Sequence, residues 1–195
     1  MRVRPVSAFP GARWSLLVYD MRSRRSRVLA DATGMDLSPL GWLDGAPLYS
    51  LARETETSIY RVVGGRSHFI SIMSTQPVTG PVLSPGGRFI AFVTPADCYW
   101  CSLYLFDVRA LDSWYGPNGI PSKYSIAWTA DGDAVVTMIG KNLAAIDAGS
   151  HHVRLYRRPS ALPMVWNDPM IAEIDSDSIH LVDVITGRSF VARAT

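Results

Sequence analysis

The chain has 195 residues, of which 48% are hydrophobic and 18% charged, with a formal net charge of +2. That balance supports a buried core and excludes a disordered chain. No apolar run approaches the roughly 20 residues that cross a bilayer as a helix.

The first 30 residues are basic. They carry Arg2, Arg4, Arg13, Arg22, Arg24, Arg25 and Arg27 against Asp20, so 7 − 1 gives +6. The remainder carries 12 basic and 16 acidic residues, giving −4, and the two parts sum to +2. Such an edge suits an acidic partner. A solvated outer strand is the plainer reading, and without a binding motif or interleaved aromatics nucleic acid is not expected. The segment has no apolar h-region, so a cytoplasmic location is expected unless a leader lies upstream. Within it, WSLLVYDMRSRRSRVLA reads as a strand ending in aromatic–Asp, a turn, and a second strand.

Four longer units follow, each a turn-linked strand pair and then a second strand pair, with a Gly at the turn of the first three and a weaker match in the fourth. They are GWLDGAPLYSLA with TSIYRVVGGRSHFISI, and LSPGGRFIAFVT with CSLYLFDVRALDSWYG. AWTADGDAVVTMIG with KNLAAIDAGSHHVRLY comes next, and VWNDPMIAEIDS with SIHLVDVITGRSFVAR closes the series. The turn positions Gly45, Gly87, Gly132 and Asp168 lie 42, 45 and 36 residues apart. Asp20, Arg61, Asp107, Asp147 and Asp183, taken as matching strand positions, lie 41, 46, 40 and 36 apart. A period near 40 built from four short strands is the signature of propeller blades. No stretch shows helical periodicity.

The expected fold is all-β, a β-propeller of four complete four-stranded antiparallel blades plus a partial fifth. It forms a single domain over 1–195, with blades near 1–30 (partial), 31–75, 76–117, 118–158 and 159–195. In Phe89–Thr94 both faces are apolar because a blade lies on each side. Phe89, Ala91 and Val93 are assigned to one face, Ile90 and Phe92 to the other. Gly87 and its equivalents supply the turn dihedrals. Either five blades close a small ring or the chain forms an open arc with an apolar flank.

LSPGGRFIAFVT resembles the W-S-P-D-G-x-x-I-A-F element of the Tol-system periplasmic propeller and related β-propeller repeats. Ala127–Gly132 and Gly41–Gly45 resemble it too, and Tyr19-Asp20 and Phe106-Asp107 match the family's L-Y-x-x-D strand. Gly86 stands where the family has Asp, and Asn167-Asp168 replaces its Asp-Gly. The resemblance implies a fold and says little of activity, since such blades serve many functions.

Candidate sites are few. Cys98-Tyr99-Trp100-Cys101 reads as a loop-stapling disulfide or a free pair. It lacks the βαβ context of a redox dithiol, the His of a haem motif and a second ligand pair for zinc. Glu173, Asp175 and Asp177 read as solvated hairpin residues rather than a calcium loop. His151-His152 sits at a hairpin tip. Trp42, Trp128 and Trp166 share one blade position, where core packing is favoured over stacking of sugars or a peptide. There is no G-x-S-x-G elbow, phosphate loop or nucleophile–base pair. No cofactor, metal or catalytic residue is expected. The expected role is a non-enzymatic module for protein interaction or self-association. The alternatives are an accessory propeller of a prolyl oligopeptidase-like hydrolase and a small-ligand or glycan-binding propeller.

Overall fold

The computed structural model describes residues 13–76, 78–94, 101–120, 126–140, 142–156, 163–165, 170–174, 178–183 and 188–193. They are all strand, turn and loop. The first sheet has two strands, β1 (Arg13–Asp20) and β2 (Arg25–Thr33). Four antiparallel four-stranded sheets follow in chain order. The second holds β3 (Asp36–Leu43), β4 (Ala46–Ala52), β5 (Thr57–Val63) and β6 (Arg66–Ser74). The third holds β7 (Thr79–Leu83), β8 (Phe89–Thr94), β9 (Cys101–Asp107) and β10 (Asp112–Ile120). The fourth holds β11 (Ala127–Trp128), β12 (Ala134–Ile139), β13 (Asn142–Asp147) and β14 (Val153–Tyr156). The last holds β15 (Pro163–Val165), β16 (Met170–Ile174), β17 (Ser178–Asp183) and β18 (Ser189–Arg193). Each strand pairs with the next in sequence, which is the meander of a propeller blade. β2 continues to Thr33 and β10 to Ile120, past the sequence boundaries at 30 and 117.

The second strand of the third blade carries the packing argument. All six residues of β8 are buried. Ile90 and Phe92 join Leu43, Leu48, Ile59 and Phe106 in the core against the second blade. Phe89, Ala91 and Val93 join Trp128, Val135 and Ile146 in the core against the fourth. A strand covered by sheets on both sides has no polar face to keep, so alternation disappears. The turn before it is fastened by Ser84. Its N–H donates to Phe89 O at 2.8 Å, and its hydroxyl accepts from Phe89 N–H at 3.1 Å. In the fourth blade Thr129 does the same work on Ala134, with distances of 3.0 Å to both backbone atoms.

Gly87 has φ +71°, and a Cβ there would lie 3.1 Å from Trp42 O. Two demands therefore fall on one residue, a left-handed backbone and close passage over the preceding blade.

One sequence alignment needs correction. Arg61 pairs with His68 inside the β5–β6 hairpin, and Val63, paired with Arg66, closes it. Val63 is therefore the counterpart of Asp20, Asp107 and Asp147. A two-residue Gly64-Gly65 turn with positive φ at both residues replaces the Asp-led loop there, so no Asp marks the strand end.

Candidate functional site

Three strand-ending aspartates have a structural task. Asp107 Oδ1 accepts the backbone N–H groups of Arg109 and Ala110 at 2.8 and 3.0 Å. Asp147 Oδ1 accepts those of Gly149 and Ser150, and Asp20 Oδ1 those of Arg22 and Ser23. Each forms an Asx-type turn that ends in a left-handed residue, Arg24, Leu111 or His151. Burial pushes the Asp107 carboxyl upward. The Ala110 and Arg109 amides and the Arg88 guanidinium outweigh it and hold the carboxyl below the usual range. Asp147 is held low chiefly by the Ser150 N–H and hydroxyl, and Asp131 chiefly by the Thr129 hydroxyl. These low carboxylates fasten turns. They are not poised for proton transfer near neutral pH.

A cavity of about 150 Å³ opens between the third and fourth blades beside Arg88, Asp107, Asp112, Trp114 and His151. The His151 ring lies flat on Trp114, with centroids 4.5 Å apart and 7° between planes, which ties a fourth-blade hairpin to the outer strand of the third blade. Arg88 Nε and Nη2 each reach Asp107 Oδ2 at 3.0 Å. Its cation is therefore already neutralised, and no serine, threonine, cysteine or lysine is among the described residues that line the space. No group of three or more His, Cys, Asp or Glu suited to a metal occurs among the described residues.

The first blade is where the molecule departs from its own repeat. Strand register makes Tyr19 the counterpart of Val62, Phe106 and Ile146, one residue before the hairpin. Those three are 4%, 1% and 0% exposed, whereas Tyr19 is 56% exposed. Leu17 is the counterpart of Tyr60, Tyr104 and Ala144, which are covered at least in part, yet it is 55% exposed. In the other blades this face rests on the preceding blade. Here Leu17, Tyr19 and Val28 face outward. Among the described residues none of the extensive contacts between sheets joins the last sheet to the first. The opposite face of β1, through Leu16 and Val18, packs on Leu29, Tyr49 and Val62.

The tryptophans confirm the asymmetry and correct one expectation. Trp128 is 7% exposed, donates its indole N–H to Val82 O at 2.9 Å and stacks on Phe89. Trp42, at the same register position, is 56% exposed rather than packed in the core. Trp128 rests on the first and second strands of the preceding blade. The sheet preceding Trp42 has, among the described residues, only the counterparts of the third and fourth.

The described arginines of the basic segment are divided between the two faces of the first sheet and its turn. Arg13 pairs with Asp31 at 2.9 Å on the outward face. Arg22 and Arg24 lie in the exposed β1–β2 turn, while Arg25 and Arg27 sit opposite Asp20 and Val18 on the other face. Arg2, Arg4, Cys98, Trp166, Asp168, Asp175 and Asp177 lie outside the described residues. Cys101 opens β9, is buried, and is disulfide-bonded.

No known family model matches the chain, and no curated protein matches it. Solved structures do. TolB from Acinetobacter baumannii superposes with a TM-score of 0.59 at 19% identity, over 96% of this chain and 51% of that one. The β-propeller domain of the Trilobed protease from Pyrococcus furiosus, which has an open velcro topology, gives 0.59 at 17%, over 83% and 58%. Sqt1 from Chaetomium thermophilum gives 0.59 at 16%, over 91% and 53%. The chain thus spans little more than half the length of each. At these identities the likeness is one of fold, and in fold the chain is a β-propeller.

Proposed function

We propose that the protein is a non-catalytic β-propeller that works as a protein-interaction module through its first sheet. The observation that carries this reading is Tyr19, bare at a position that is buried in every other blade whose side chains are described. An apolar flank of this kind is an association surface unless a partner covers it. The exposed arginines of the β1–β2 turn favour an acidic partner and make encounter sensitive to salt. Light scattering across a wide concentration range tests the reading. The wild type should show mass above 21.5 kDa, and Leu17→Asp with Tyr19→Asp should return it to monomer without loss of folding. A monomer at every concentration that also fails to bind a hydrophobic dye would defeat it.

A second reading, an accessory propeller of a hydrolase, is favoured by the likeness to the Trilobed protease propeller. A catalytic segment in the same reading frame of the full transcript would decide for it.

A further inference from the structure

We infer that the edge of β1 left open among the described residues accepts a β-hairpin from a partner polypeptide, which the exposed indole of Trp42 clamps. This rests on the interaction reading above and specifies its partner and mode. The repeat itself shows what fits. In the third blade β8 pairs with β9 from Phe89↔Asp107 to Thr94↔Ser102. The equivalent stretch of β1 runs from Asp20 to Ser15, and among the described residues no strand occupies that edge. The fourth-blade tryptophan shows what such a hairpin supplies. A first-strand carbonyl accepts its indole N–H, as Val82 O does for Trp128, and a bulky second-strand side chain stacks on its ring, as Phe89 does. Trp42 stands at that position with its ring exposed, and its indole forms no hydrogen bond among the described residues.

The occupant is therefore a two-stranded segment that pairs antiparallel to β1. It carries a large apolar residue just after its turn, and apolar residues at alternate positions toward Tyr49 and Val62, which line the inner side of the junction. Its turn would lie near Asp20 and the β1–β2 loop, where Arg22 and Arg24 are exposed, so acidic residues at that end are favoured. Strand addition of this kind takes affinity from main-chain hydrogen bonds and selectivity from the side-chain pockets.

The chain's own β7–β8 hairpin, residues 79–94, is the probe, synthesised as a free peptide and added to the 195-residue protein. Hydrogen exchange should slow saturably on addition at those of the Ser15–Asp20 amides that point away from β2. Trp42→Ala in the protein, or Phe89→Asp in the peptide, should weaken binding by about tenfold or more, the size of a lost anchor contact. If those of the Ser15–Asp20 amides that point away from β2 are already protected in the free protein, the inference is overturned, because the edge would then be filled by the chain itself. Binding that ignores Trp42→Ala but is lost in Leu17→Asp would overturn it too, placing the partner flat on the outward flank and leaving the interaction reading intact. If the peptide does not bind and Leu17→Asp leaves self-association unchanged, both readings fail.

Discussion

Phe106 and Tyr19 occupy one register position in two blades, so truncating each to alanine compares a covered flank with a bare one. Phe106 is 1% exposed and packs with Leu43, Leu48, Ile59, Ile90 and Phe92 between the second and third blades. Removing its ring forfeits about 2 kcal/mol of apolar transfer. The cavity left among four aliphatic side chains and one aromatic adds about 1–2 kcal/mol, giving about 3–4 kcal/mol in total. Tyr19 stands more than half in solvent on the outward face and leaves no cavity, so Tyr19→Ala should cost at most about 0.5 kcal/mol. Urea denaturation followed by far-ultraviolet circular dichroism reads the difference. With a slope of about 3 kcal/mol/M for a chain of this size, Phe106→Ala should lower the midpoint by about 1 M. Tyr19→Ala should barely move it. At concentrations low enough to keep the chain monomeric, equal shifts in the two variants would refute the reasoning, because the flank of the first blade would then have to be buried against another sheet of the same chain.

Thr137 in β12 is fully buried, and its hydroxyl has no hydrogen-bond partner among the described residues. Thr137→Val, nearly equal in shape, should therefore stabilise the protein by about 1 kcal/mol and raise Tm by about 2–4 °C in calorimetry. Gly87→Ala must enter the left-handed region with its Cβ against Trp42 O, so it should cost about 2 kcal/mol in urea midpoint terms. Gly64→Ala, with φ +59° but open space around it, should cost about 1 kcal/mol. Asp107, Asp131 and Asp147 are held below the ordinary aspartate range in the folded state, so their contribution is complete above that range. It fades as pH falls through the lowered folded values. Stability against urea should therefore drop below about pH 4, and less steeply in Asp147→Asn.

Much of the architecture was legible in the chain. The recurrence of Gly turns near Gly45, Gly87 and Gly132, and the doubly apolar run Phe89–Thr94, specify stacked four-stranded sheets. The reason is that only a sheet covered on both sides leaves a strand no solvent-facing residues. The aspartates at 20, 107 and 147 marked strand ends because an Asx turn is a local device, complete within four residues. Arg61 misled for a related reason. Counting residues cannot show that a two-residue Gly-Gly turn has replaced the four-residue loop, and strand register shows it at once.

Tertiary structure alone decided which side chains of the first sheet and of its neighbour are covered. In sequence, Tyr19 is the same aromatic–Asp signal as Phe106, and Trp42 the same turn tryptophan as Trp128. Their burial differs because it depends on a neighbouring sheet, which is supplied by residues far along the chain or by another molecule. The arginines follow the same rule. Seven positive charges in 30 residues look like one basic edge, yet pairing across β1 and β2 sends Arg13 to one face and Arg25 and Arg27 to the other. Local composition and periodicity fix which side chains are able to be buried. Whether they are buried depends on the surface that meets them, and that surface is not local.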